Sequence, residues 1–575
     1  MKGEARLRRT GEALARSTAA AAMLVLPAVA LHGPWRAVFE QAWLRVVVLA
    51  LAGIVGGLLL PSQVGSRALR VLLGVQASAA GVLLGAPFDS ASNYPFSLNW
   101  SEGNRIWASS LIFASDRYHG LTPDLYPDYA SPAFFFLQGL PFLLPGVTIG
   151  PLRAWIAFLL VFPPLVLAGA VFLGGSRWPT GGLRWSLVLW AFLFCMQGPA
   201  YAPLVLGAVA VALACRTRHP AWAIAATFLA SFFLGISRWT WLLAPAIWSS
   251  TWTLLDPAIG EAGRWRRAFV YAASGGGGAV LSLAWTAWVA HRPLFPYLTS
   301  LRHVILKYRL LPNATSSLGI APWIALVSAP AVLLILWEWR RRGLWRRPPT
   351  FPAIGAGAFF SLCVGLVASI KIGAGDNLHH FDVFFIDLIL IVGAMVAGGD
   401  EGVVLRRETG RPTLLMTVVL LAPVVSVLSL GPAPFAPPEE AARSSLERVR
   451  EAVAEAAGRG PVLFIDQRQL LAFGLVPEAD QVWGYELLDL MDRAMADDLV
   501  YLHGFQADLA LHRFSLIVVP PLPIIWRDRA YSYGEENDAW VRHISLPILE
   551  HYRPIGELEA DGLWLLVPIP ESSGR

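Results

Sequence analysis

The sequence predicts an all-α polytopic membrane domain of about 13 transmembrane helices, followed by a small C-terminal α/β domain outside the membrane. Three observations predict it. The chain of 575 residues is 55% hydrophobic and only 15% charged, with a mean hydropathy of +0.54, whereas soluble domains carry about 25% charged residues. The missing charge is uneven: residues 17 to 430 hold long apolar runs, and residues 431 to 575 read as an ordinary soluble sequence. The basic residues sit in short loops between the runs, as the positive-inside rule requires. These features divide the chain into a multi-span domain over 1–430 and an extracytoplasmic domain over 431–575.

Taken in order, Lys2, Arg6, Arg8, Arg9 and Arg16 precede an alanine-rich apolar run, the pattern of a signal segment. Ala28-Val29-Ala30 resembles a cleavage site, and an uncleaved first helix is the expectation. Runs long enough to span lie at 17–33, 44–60, 69–86, 151–174, 183–198, 201–215, 221–236, 239–255, 268–290, 318–338, 353–370, 381–398 and 413–430. The basic loops are Arg67/Arg70, Arg177/Arg184, Arg216/Arg218, Arg264/Arg266/Arg267, Arg340 to Arg347, and Arg406/Arg407/Arg411. If all are cytoplasmic with the N-terminus, the thirteen runs alternate without conflict. The apolar piece 132–145, broken by Pro141, must then lie along the surface or re-enter. A multi-pass protein of the plasma (inner) membrane follows, with the loops 87–131, 291–317 and 371–380, Arg238 and the tail all facing outward.

No basic stripe with interleaved aromatics occurs outside the membrane region, which excludes a nucleic-acid partner. Cys195, Cys215 and Cys363 lie in apolar runs without metal-ligand spacing and read as small buried hydrophobes. In the tail, 443–457 reads as a helix, and Val462–Ile465, Leu516–Val519 and Leu563–Val567 read as strands, with helical periodicity from Glu486 to Leu511. Alternating strands and helices give the α/β class. Ile465-Asp466-Gln467-Arg468 puts polar groups at a strand end and reads as a solvated loop.

Three places carry candidate chemistry. The outer loop 87–131 holds Asp89, Glu102, Asp116, Asp124 and Asp128 with Arg105, Arg117 and His119; long structured loops are often functional. Asn99 to Asn104 opens a helix-like piece running to about Ser115. Glu102 stands in its first turn, where the helix dipole favours a carboxylate. The second place, Lys371 to His380, packs a cation, Asn377, His379 and His380 into ten residues. It suits an anionic head group, or simple interfacial snorkelling; adjacent histidines ligate one metal poorly. The third is Arg238, an ionisable residue interrupting an apolar run. Lys307, Tyr308 and Arg309 could add positive charge from the loop 291–317.

Together these residues resemble the membrane-embedded GT-C glycosyltransferases, which include protein O-mannosyltransferases, bacterial aminoarabinose transferases and uncharacterised bacterial relatives. The resemblance rests on Asn99-Trp100-Ser101-Glu102-Gly103, Ile106-Trp107, Tyr118-His119-Gly120 and Tyr129-Ala130-Ser131-Pro132-Ala133-Phe134-Phe135-Phe136. It continues in Leu234-Gly235-Ile236-Ser237-Arg238, Asp376-Asn377-Leu378-His379-His380-Phe381, Leu463 to Leu471 and Leu511 to Val519. It covers most of residues 87 to 570. Many members carry paired acids where this chain has Ser101-Glu102.

The resemblance implies a GT-C-like fold and a polyprenyl-phosphate sugar donor, with a glycan, lipid or protein as acceptor. One carboxylate then acts as base on the acceptor hydroxyl, giving inversion: Glu102, with Asp89 or Asp116 as substitutes. Arg238, Lys371, Asn377, His379 and His380 would hold the donor phosphate. No cofactor is implied with certainty, and a divalent metal remains an option. Two other classes stay open, a lipid or solute transporter and a non-catalytic assembly protein of the cell envelope.

Overall fold

The computed structural model describes residues 2–32, 38, 41–118, 132–174, 181–198, 200–217, 219–256, 258–289, 305–343, 349–370, 378–397, 413–429, 437, 439–558 and 562–570. Helices dominate. The first eleven are α1 (Lys2–His32), α2 (Ala42–Leu59), α3 (Arg67–Gly85), α4 (Glu102–Ser110), α5 (Pro132–Gly139), α6 (Ile149–Phe172), α7 (Gly182–Met196), α8 (Ala202–Arg216), α9 (Pro220–Ser237), α10 (Ala244–Leu255) and α11 (Glu261–Val289). The remaining apolar helices are α12 (Ile320–Arg341), α13 (Thr350–Ser369), α14 (Asp382–Ala397) and α15 (Leu414–Ser429). Each of the thirteen apolar runs of the sequence therefore carries a helix. Among the described residues, eight helical stretches are long and apolar enough to cross a membrane.

The outward faces of these helices are apolar too: Phe269, Trp288 and Phe359 are 75%, 72% and 65% exposed. A helix that is hydrophobic all round is either deeply buried or set in lipid. The centre of the bundle is α14, buried continuously from Phe381 to Met395, with Val171 close against Gly393, and packed against α6, α7, α8, α10, α12 and α13. Helices α2 and α3 approach backbone to backbone, because Gly53 and Gly57 face Gly74, where a Cβ would meet the Gly53 carbonyl oxygen at 2.1 Å. This is close small-residue packing of the kind membrane helices use. The piece expected not to cross forms α5 and a 3-10 turn, Leu140–Leu143. It lies on α4, with Gly139 against the Ser109 carbonyl.

The tail contains α16 (Arg443–Ala457), β1 (Val462–Phe464), α17 (Gln469–Ala472), β2 (Gln481–Val482), α18 (Leu487–Met495), α19 (Leu499–Ala510), β3 (Leu516–Val519), α20 (Gly534–Trp540), α21 (Leu546–His551), β4 (Tyr552–Leu558) and β5 (Leu563–Pro568). Its sheet runs β2-β1-β3-β5-β4, with β1 parallel to β2 and β3, and β5 antiparallel to β3 and β4. Two strands, β2 and β4, join the three visible in the sequence. The helical stretch 486–511 is two helices, broken where Asp497 adopts a left-handed φ of 48°. Val462 and Phe464 face one core, and Leu463 and Ile465 the other, which explains why β1 is apolar throughout. The first of these cores also takes Tyr94 and Phe96 from the loop after α3. The tail is thus built onto the outer loop.

Candidate functional site

Helix α9 ends at Ser237, and Arg238 follows in extended conformation before a 3-10 turn over Trp239–Trp241. The Arg238 guanidinium lies 5.8 Å from the Tyr201 ring centre and 5.6 Å from that of Trp241, a cation–π setting. Across from it, the 3-10 turn Leu378–Phe381 leads into α14. The His379 ring meets Tyr201 edge to face at 5.8 Å and lies 3.9 Å from the His380 ring. Arg238, Thr240, Trp241, Ser361, His380 and Asp382 share one pocket with the apolar Val364, Ala368 and Val383. The charges of Arg238 and of Arg105 on α4 both reach His379. Three expected phosphate-binding residues, Arg238, His379 and His380, are therefore brought together. Lys371 and Asn377 lie outside the described residues, as do His119, Asp124 and Asp128.

The pocket also contains a carboxylate that sequence reasoning passed over. Asp382 is 2% exposed; its Oδ1 accepts from the Val383 N–H at 2.7 Å, and its Oδ2 has no hydrogen-bond partner among the described residues. One and a half turns deeper, Asp387 is 1% exposed beside Ser361 and Trp248. Both acids were visible inside the apolar run 381–398, where any ionisable residue is a functional signal.

None of the three carboxylates expected as bases lines this pocket, and each has different surroundings. Glu102 opens α4 after Ser101, which takes a left-handed φ of 65°. Its Oε1 accepts from Arg153 Nε at 2.8 Å, and its Oε2 from Arg153 Nη2 at 3.1 Å and the Leu98 N–H at 2.6 Å. Arg153, on α6 and 2% exposed, also donates to the carbonyls of Ser92, Tyr94 and Phe96 at 3.0, 2.7 and 2.8 Å. All five of its N–H donors are thereby used, and the loop 92–98 is wrapped around its side chain. Asp89 receives the His32 ring at 2.6 Å at the end of α1. Asp116 is exposed on a 3-10 turn.

Beneath α4 lies the segment Ile465–Arg468, which the sequence suggested was solvated. It is buried: Asp466, Gln467 and Arg468 are 5%, 2% and 0% exposed. The reason is polar matching with the outer loop. Asn104 donates to the Ile465 carbonyl at 3.1 Å and to Glu486 Oε2 at 2.6 Å, and the Ser97 N–H donates to Gln467 Oε1 at 2.8 Å. Gln469 donates to the Pro95 carbonyl at 2.9 Å, and its Oε1 lies 1.9 Å from where a Gly103 Cβ would stand. A side chain at 103 would displace the Gln469 amide from these partners. Trp107 stacks on Trp483 at 5.8 Å and carries the Arg468 guanidinium 4.5 Å above its ring. Burial raises the Asp466 carboxyl to about 6, with the nearby Glu102 charge adding to the rise. Burial likewise raises Glu486 to about 7, partly opposed by Arg468.

A second clasp joins the tail to the segment before α12. Arg309, expected to add positive charge to the outer face, is fully buried and pairs with Glu536 through two bonds of 2.7 and 2.6 Å. Tyr308 donates to Glu535 at 2.7 Å. Among the described residues, no three of His, Cys, Asp and Glu gather in an arrangement suited to a metal ion. No protein-family model and no curated protein matches the chain.

Proposed function

We propose that the chain is a membrane glycosyltransferase that moves a sugar from a polyprenyl-phosphate carrier to an acceptor hydroxyl, with inversion, at the outer face of the plasma membrane. The N-terminus is cytoplasmic in this reading and the tail extracytoplasmic. The observation that carries it is the meeting of Arg238 and His380, from segments about 140 residues apart, on one pocket with an apolar wall, with the His379 ring 3.9 Å from that of His380. A phosphate joined to a prenyl chain has matching chemistry, and the fixed charge of Arg238 favours its departure as an anion.

Glu102 is the base of this reading. Its helix also carries Arg105, one turn on, whose charge reaches His379. Arg153 fixes the carboxylate's orientation, while Oε1, which accepts one bond from Arg153, keeps a lone pair for an acceptor hydroxyl. Asp89, tied to His32, and exposed Asp116 are the weaker candidates.

The test is transfer from synthetic polyprenyl-phosphate sugars by purified protein in nanodiscs. Glu102→Gln is expected to lower kcat about 10²–10⁴-fold, and Arg238→Ala to raise the donor KM. Activity of Glu102→Gln close to the wild type removes Glu102 as base. Absence of donor binding by the wild type removes the transferase reading. One observation favours a transporter instead: Asp387 is buried inside a helix long and apolar enough to cross the membrane. Lipid or ion flux into proteoliposomes, abolished by Asp387→Asn, would select that reading.

A further inference from the structure

The tail carries ten consecutive exposed residues, Ile524 to Tyr533, in an otherwise well-packed domain. They include Ile524, Ile525, Trp526 and Tyr531 at 57%, 71%, 49% and 59% exposure. The segment is pinned from below. Asn537 donates to the Ile525 carbonyl at 2.9 Å, the Arg527 N–H donates to Asp538 at 2.6 Å, and the Ala530 N–H donates to Asp528 at 2.8 Å. Gly534 lets the Asp528 carbonyl close the turn, since a Cβ there would sit 1.9 Å from that oxygen. Leu522, 4% exposed, anchors the start of the segment in the core. A pinned loop that holds three large apolar side chains outward is an interaction surface.

Its position says what covers it. The Tyr533 N–H donates to Thr315 Oγ1 at 3.1 Å, and the Arg529 guanidinium lies 5.5 Å from the Tyr308 ring centre. Thr315 precedes the start of α12, a span candidate, by five residues, at most about 17 Å of chain. The connecting segment adds exposed Ile305, Leu311 and Leu318. The loop is basic as well: Arg527 and Arg529 flank Asp528, and Arg542 lies over the Trp526 ring at 5.6 Å. Apolar and aromatic side chains among arginines, held near a helix entering the bilayer, have the composition of an interfacial anchor.

We propose that Ile524–Tyr531 dips into the leaflet beneath the tail, with Ile524, Ile525 and Trp526 among the upper acyl chains and Arg527 and Arg529 on anionic head groups. The proposal rests on the membrane reading of the helices and is independent of the transferase reading. Its test uses the whole chain in nanodiscs containing anionic lipid, with Cys363→Ser and Ile525→Cys carrying an environment-sensitive fluorophore. The expected result is blue-shifted emission, with intensity falling about twofold when doxyl-labelled lipid carries its quencher within the 5–10 Å depth an interfacial anchor reaches. Water-like, unquenched emission overturns the proposal. So does blue-shifted emission that doxyl lipid leaves unchanged, because a protein surface then covers the loop. The same label at Phe359→Cys, on the exposed face of α13, must be quenched from deep in the bilayer; failure there overturns the membrane reading itself.

Discussion

The Glu102 carboxylate and the Arg153 guanidinium are joined by hydrogen bonds of 2.8 and 3.1 Å in a site where the arginine side chain is 1% and the glutamate 14% exposed. Removing one partner of such a pair leaves an uncompensated charge and costs about 3–5 kcal/mol. Arg153→Met should therefore lower the thermal unfolding midpoint and open the loop 92–98 to protease. Adding Glu102→Gln should recover part of the loss. A double variant as damaged as the sum of the single ones would show that the two side chains are not coupled.

Arg309 and Glu536 form the corresponding pair on the other side of the tail. Glu536→Gln should speed amide exchange across α20 and the segment 305–319 together, by a factor that reflects about 3 kcal/mol. Exchange faster in α20 alone would mean that the tail remains held without this contact.

The contact between α4 and the tail should depend on pH. Asp466 and Glu486 titrate at about 6 and about 7 in place, above the ~3.9 and ~4.3 of the free side chains. A raised carboxyl favours the protonated form in the docked state. Docking is thus fully supported below about pH 4, and that support fades as pH rises through 6 and 7. After correction for intrinsic exchange, amides of Ile106 to Ser110 should be less protected at pH 8 than at pH 5. Asp466→Asn should flatten that difference.

Sidedness gives a direct check on the topology. The tail contacts both the loop after α3 and the segment before α12, so these three regions share one side of the bundle. With Cys363 replaced, cysteines at Asp116 and at Leu311 should react with an impermeant maleimide from outside intact cells. A cysteine at Arg341 should react only after the membrane is opened. Reaction of the first two from opposite sides would contradict the packing.

Much of the fold was legible because hydrophobicity is written locally. Each of the thirteen long apolar runs carries a helix, and β1, β3 and β5 stood out as short apolar stretches. The cluster Arg238–His379–His380 was readable from ionisable residues at span ends. Less legible was anything that depended on pairing distant segments. Asp466 to Arg468 looked solvated because nothing near them in sequence says that Asn104, Ser97 and Trp107 will cover them. Arg309 looked like added outer-face charge because Glu536 lies 227 residues away. Arg153 and Asp382 were different: each sat in plain view inside or at the edge of an apolar run, and the cost of burying it was the overlooked clue.

The bonds from Asn104 to Ile465 and Glu486 span 361 and 382 residues of chain. At a synthesis rate of about 5–20 residues per second, the first partner waits roughly 20–80 seconds for the second. During that interval Asn104 and the indole of Trp107 have no tail to meet, and a product interrupted before residue 465 leaves the joint half made.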